Sequence, residues 1–209
     1  MSMLAITKEQ IAELPAAEYT GRAIIINNPI DCRAAVRYLK HQTILGFDTE
    51  TRPSFRKGRP HKVALLQVAT KDECFLFRLH RTGFTPEMVE LFENPDILKI
   101  GLSIKDDIHQ LSAICEFNPA NVLELQSYVK DYKIADNSLQ KVYAIVFGKR
   151  ISKSQRLTNW EAETLTEAQK AYASLDALAC LQIYETLSSG QFDYEASPYK
   201  VVEATEGCE

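Results

Sequence analysis

The chain reads as one α/β domain built on a mixed sheet, and three observations predict it. Apolar, strand-length runs come first, strand–helix alternation follows, and patterns of helical period close the chain. Two early strands, 63–69 and 74–79, are separated only by Thr70-Lys71-Asp72-Glu73, the mark of a tight hairpin and hence of an antiparallel pair. A length of 209 residues suits one good-sized core and not two ordinary domains. The domain is set at residues 1–190. The acidic tail 191–209 has few core-forming residues and is expected to be only partly ordered.

In chain order, residues 7–20 are expected to lead in as a short helix and turn. The run Ala23-Ile24-Ile25-Ile26 marks a strand, and 30–40 reads as a helix with Ala34, Val36 and Leu39 inward. The segment 44–50, Ile-Leu-Gly-Phe-Asp-Thr-Glu, starts as an almost unbroken apolar run, as a strand buried on both faces does. After the hairpin come a helix at 86–93, an apolar strand at 97–102, a helix at 104–115 and a short strand at Val122-Leu123. Helices are expected over 124–132, 138–147 and 166–188. Thr166-Glu167-Ala168-Gln169 has the form of a capping box at the start of the last one.

Composition is that of a soluble globular protein, 45% apolar and 25% charged. No apolar run reaches membrane-spanning length, and Met1 to Glu13 has neither a basic start nor a long apolar stretch, so no membrane span or signal peptide is expected. The five cysteines, Cys32, Cys74, Cys115, Cys180 and Cys208, form no close pairs, which points to reduced thiols in a cytoplasmic setting and away from zinc. The net charge of −4 is localised: residues 191–209 hold five acids and one base, leaving 23 of each in residues 1–190. Two basic segments carry no acid, one with Arg52, Arg56, Lys57, Arg59 and Lys62, the other with Lys149, Arg150, Lys153 and Arg156. Each is either a solvated loop or an anion-facing surface.

Three places put carboxylates where carboxylates are costly. Asp48 and Glu50 are two apart at the end of the buried strand, so both side chains point to one face. A raised pKa, a bound cation, or a solvated strand end would each accommodate them. On the helix after Ser103, a candidate N-cap, Asp107 falls inside the arc of Ile104, Ile108, Leu111 and Cys115, while Asp106 and His109 point outward. Asp107 therefore needs a partner, either a buried Lys or Arg or a cation. In the last helix Ala168, Tyr172, Leu175, Ala179, Ile183 and Leu187 form an inward stripe, and Asp176 lies one turn after Tyr172. A structural Tyr–Asp hydrogen bond is the alternative to a functional pair there.

Asp-x-Glu on a strand, Asp on a second element and Tyr-x-x-x-Asp on a late helix together resemble the DEDD superfamily of 3′–5′ exonucleases, in the subclass with tyrosine in its third motif. Gly46-Phe47-Asp48-Thr49-Glu50, the stretch Lys99 to Asp107, Thr158-Asn159-Trp160 and Leu165 to Tyr172 resemble most the exonuclease domain of the Werner syndrome helicase, and ribonuclease D more distantly. The resemblance runs over about residues 22–188. It implies a ribonuclease H-like fold, a mixed five-stranded sheet flanked by helices. Neither a helicase nor an additional helical nucleic-acid-binding domain accompanies the domain in this sequence, which leaves processivity and natural substrate open.

What the resemblance implies is a metal-dependent exonuclease that releases nucleoside 5′-monophosphates from the 3′ ends of DNA, RNA or both, with DNA favoured. Asp48, Glu50, Asp107 and Asp176 would be metal ligands as well as catalytic residues, holding two divalent cations, Mg²⁺ or Mn²⁺, about 3.5–4 Å apart. Asp48 would bridge them, Glu50 and Asp176 would complete the first site, and Asp107 would serve the second. Tyr172 would orient the attacking water, since a phenol is a poor base at neutral pH. Arg52, Arg56, Lys57, Arg59, Lys149, Arg150, Lys153 and Arg156 are the candidate phosphate contacts. Phe55 and Trp160 are candidate base-stacking residues, with core packing the first expectation for Trp160. Two other readings stand beside this one: a catalytically silent module of the same fold, and a trimming enzyme for RNA or oligonucleotide 3′ ends.

Overall fold

The computed structural model describes residues 2–53 and 62–202. In order, its elements are β1 (Ser2–Leu4), α1 (Lys8–Glu13), β2 (Arg22–Ile26), α2 (Pro29–Leu39), β3 (Ile44–Thr51), β4 (Val63–Ala69), β5 (Glu73–Arg78), α3 (Leu79–Thr82), α4 (Pro86–Glu93), β6 (Leu98–Gly101), α5 (Ile104–Ser112), β7 (Val122–Glu124), α6 (Leu125–Tyr128), a 3-10 turn (Val129–Tyr132), α7 (Leu139–Phe147), α8 (Glu167–Ser188) and β8 (Lys200–Val202). Helix starts follow their side chains. Asn28 accepts from the amides of Ile30 and Asp31, each at 3.0 Å, with Pro29 at the first helical position. Thr166 and Gln169 form the expected reciprocal capping box of α8.

Six strands make the main sheet in the order β2-β5-β4-β3-β6-β7, one more than the five expected. All pairings are parallel except those of β4 with β3 and β5, so β4 alone runs against the others. A separate antiparallel pair, β1 with β8, joins the two ends of the chain. Neither of its strands was expected, because three residues are too few to show a period. The pair also shows that the tail is tied down through residue 202. Tyr194 donates to the Ser2 carbonyl at 2.8 Å, and Phe192, Tyr194 and Tyr199 pack on the core.

The sheet divides two apolar cores. One face meets α2, α4 and α5 through a cluster that includes Phe47, Phe77, Phe84, Phe92 and Phe117, and Phe47 meets Phe92 edge-on at 5.3 Å. Burying each such ring stabilises the fold by about 1.5–3 kcal/mol. The other face packs on α8. The single inward stripe expected for α8 is a simplification, since every residue from Ala173 to Leu181 is buried. Away from the sheet α7 packs on the helix, and residues of β1 and α1 join the same apolar cluster. Conversely, Ala34 and Ala168 are exposed, while Cys32 and Ala35 take the inward positions of α2. Helix α5 ends at Ser112, three residues early, which leaves Cys115 exposed. Among the described residues no cysteine is paired, and no helix is long and apolar enough to cross a membrane.

Candidate active site

The site begins with register. Strand β3 runs beside β6 only as far as Gly46, opposite Ile100, and then continues to Thr51 along β4 alone. Its last residues therefore project past the carboxyl end of its parallel neighbour, where open α/β sheets leave a crevice. Asp48 and Glu50 leave this segment on one face, and a bulge after Glu50 ends the regular pairing.

That face is the one on which α8 lies, and Gly46 sets the distance. A Cβ at Gly46 would stand 2.2 Å from the Ala177 carbonyl oxygen and 3.1 Å from Leu181 Cβ. Only glycine lets the helix backbone come so near, and this approach carries Asp176, the residue before Ala177, to the strand's carboxylates. Oxygens of Asp48, Glu50 and Asp176 lie within 4.8 Å of one another. Glu50 is 9% exposed and Asp176 6%.

Such crowding is electrostatically expensive, and the acids respond by holding protons. Burial, then the charges of Asp176, Asp107 and Glu50, raises Asp48 well above the ordinary carboxylate range. Glu50 is pushed to about 8, chiefly by burial and then by Asp176, with Arg156 acting in the opposite direction. Burial lifts Asp176 to about 7 against the opposing influence of Tyr172 and Lys153. Burial also raises the phenol of Tyr172, half-buried one turn before Asp176, and that carboxylate's charge adds to the effect.

Asp107 stands apart from the trio. It is 8% exposed, raised to about 7 mainly by burial, and accepts a hydrogen bond from Thr49 Oγ1. Its charge still reaches Asp48 and Glu50. The alternative of a buried salt bridge fails among the described residues. Buried Lys99 donates instead to the Asn94 carbonyl at 2.6 Å, and buried Arg78 to the carbonyls of Ala162 and Glu163. Asp106 and His109 are exposed, as expected.

Ser103 does not cap α5 with its side chain. It sits in a left-handed conformation at φ 66°, and Glu124, at the end of β7, takes over the capping. The Glu124 carboxylate accepts from the amides of Ser103 at 3.0 Å, Ile104 at 2.7 Å and Gln126 at 3.0 Å. A negative charge on the amides at the starts of α5 and α6 is favourable, and it anchors the turn that aims Asp107. Glu124 went unnoticed in the sequence. Its place before a helix marks it as a cap for α6, but its reach to α5 exists only once β6 and β7 pair.

The basic candidates divide. Lys153 and Arg156 line a cleft of about 470 Å³ together with Asp48, Tyr172 and Asp176. Arg52 pairs with Glu161 at 3.3 Å across an exposed surface. Lys149 and Arg150 belong elsewhere: Lys149 sits by the far end of α8 with Gln182 and Glu185, and Arg150 donates to the Leu14 carbonyl at 3.0 Å. Trp160 is fully buried, its ring 6.0 Å from that of Tyr172, so it packs in the core and offers no face to a base. Phe55, Arg56, Lys57 and Arg59 lie outside the described residues.

Comparison with known proteins supplies the family. Residues 23–190 match the model of a 3′-5′ exonuclease family. The chain is 31% identical over 187 residues to the mouse bifunctional 3′-5′ exonuclease/ATP-dependent helicase WRN, spanning 84% of this chain and 13% of that protein. Its fold resembles the EXO domain of Aedes aegypti Nibbler, with a TM-score of 0.74 and 23% identity, covering 86% of this chain and 96% of the other. Escherichia coli RNase D gives a TM-score of 0.72 at 18% identity, covering 85% of this chain and 46% of that enzyme. With a family match over most of its length and the acidic trio at the carboxyl end of its central strand, the chain belongs to the 3′-5′ exonuclease domain family.

Proposed function

We propose that this chain is a metal-dependent 3′–5′ exonuclease of the tyrosine-containing DEDD subclass, removing nucleoside 5′-monophosphates from nucleic-acid 3′ ends. The observation that carries the reading is the trio of Asp48, Glu50 and Asp176, with oxygens within 4.8 Å in a protein that pairs none of them with a Lys or Arg among the described residues. Hard oxygen donors clustered at this density fit Mg²⁺ or Mn²⁺. Asp48, Glu50 and Asp176 would hold one ion, and Asp107 with Asp48 a second. Bound there, the ions would acidify a water and neutralise charge developing on the phosphate.

The chain's own groups supply the rest. Tyr172 stays protonated near neutral pH and so cannot serve as the base; its hydroxyl donates a hydrogen bond and orients the attacking water beside Asp176. Lys153 and Arg156, in the same cleft, contact phosphates and position the strand without reading its bases. DNA is the favoured polymer, supported by the 31% identity to a helicase-linked exonuclease. RNA trimming is the second reading, favoured by the likeness to E. coli RNase D, described as an exoribonuclease. The unpaired cysteines accord with a cytoplasmic setting.

A 5′-labelled strand offered as single-stranded DNA, recessed-3′ duplex and RNA, with Mg²⁺, Mn²⁺ or chelator, tests the reading. A metal-dependent ladder shortening from the 3′ end and lost in Asp48→Ala is expected. Binding without a ladder under every condition would make this a silent module of the same fold.

A further inference from the structure

We propose that Gln67 is a positioning residue for Asp48, its buried amide fixing the carboxylate in the orientation that receives a divalent cation. Gln67 sits in the middle of β4, directly opposite Asp48 in the antiparallel register. Residues so paired share a face of the sheet, with Cβ atoms about 5 Å apart. Gln67 is wholly buried, and among the described residues neither its Oε1 nor its Nε2 has a hydrogen-bond partner. A primary amide carries two donor hydrogens and an accepting oxygen, and burying all of them unpaired costs stability. On its other side Gln67 faces Leu76 of β5, which offers it nothing polar. An apolar side chain of the same size would pack between Leu65 and Ala69 without that cost, so packing does not account for the amide.

The carboxylate opposite does account for it. An ionised carboxylate at Asp48 only accepts hydrogen bonds. The Gln67 Nε2 is then a donor one strand away, able to hold one carboxylate oxygen while the other faces the ion. Such outer partners fix ligand geometry at metal sites. The inference rests on the trio being a metal site, and its test separates the two claims.

Mn²⁺ binding is measured by calorimetry on wild type, Gln67→Met, Asp48→Asn and the double variant, each with a chelator-treated thermal melt. Met keeps the volume and removes the amide. The expected results are Mn²⁺ affinity lower by about 10-fold in Gln67→Met, with a metal-free melting temperature equal to wild type or higher, and no further loss when Gln67→Met is added to Asp48→Asn. Unchanged Mn²⁺ affinity in Gln67→Met overturns the proposal, as does a loss of the same size in the Asp48→Asn background. No Mn²⁺ binding by wild type overturns the metal-site reading, and this proposal with it. Should Gln67→Met fail to fold, Gln67→Leu, which likewise lacks the donor and adds no charge, must show the affinity loss, and undiminished affinity there overturns the proposal equally.

Discussion

Raising the pH of the metal-free protein is expected to destabilise it, and the size of the effect follows from the acidic cluster. Glu50 is raised to about 8 from an unfolded value of 4.5, and Asp107 and Asp176 to about 7 from 3.8. Between pH 5 and 7 the folded chain therefore holds protons that the unfolded chain has released, so stability falls as pH rises. Each retained proton is worth about 1.4 kcal/mol per pH unit. The acids share their protons, so a single net proton retained throughout is the cautious count, giving about 3 kcal/mol lost from pH 5 to 7. Against a total of about 5–15 kcal/mol, that is a large fraction. Urea denaturation at pH 5, 6 and 7 in chelator measures it, and the same series in Mg²⁺ is expected to be nearly flat because the cation replaces the protons. His80, lowered by burial, contributes a slope of opposite sign, so Asp176→Asn serves as the internal comparison. That variant should be more stable than wild type at pH 7 without metal, and less sensitive to pH. Metal-free stability that is constant or increases from pH 5 to 7, in wild type and variant alike, would refute the cluster as a store of unfavourable charge.

Gly46→Ala should force α8 off β3, costing about 1–3 kcal/mol in denaturant unfolding and depressing metal-dependent cleavage further, since Asp176 moves with the helix. Tyr172→Phe should leave the thermal midpoint within a few degrees while kcat falls on the order of 10²-fold, measured in single-turnover cleavage. Glu124→Ala strips three amides of their acceptor and should cost about 1–2 kcal/mol, read by thermal melting, with Glu124→Gln recovering part of it. Lys153→Ala and Arg156→Ala should each raise KM and reduce the salt slope of strand binding by about 1, measured by fluorescence anisotropy across salt concentrations.

Periodicity and caps made most elements legible from residues alone. The apolar run at 44–47, the hairpin turn at 70–73 and the capping box at Thr166 are local signals, and the structure carries an element at each. The carboxylates were legible for a related reason: Asp107 and Asp176 stand at positions where the helical period demands an apolar residue. Other features depend on what folds against what. The β1–β8 pair joins residues about two hundred positions apart through three-residue strands, which no window can detect. A charge run looks the same in sequence wherever it lands, and only the tertiary structure turned Lys153 and Arg156 toward the carboxylates and Lys149 and Arg150 away from them. The same holds for Glu124 capping a helix twenty residues earlier and for Gln67 lying opposite Asp48, since strand register sets both. By itself the sequence determined which residues are candidates for the chemistry and which elements bear them, because burial penalties and backbone periods are local. Which carboxylates meet, at what distance and beside which cations was decided by the close packing of α8 on Gly46 and the order of the strands, which are properties of the whole chain.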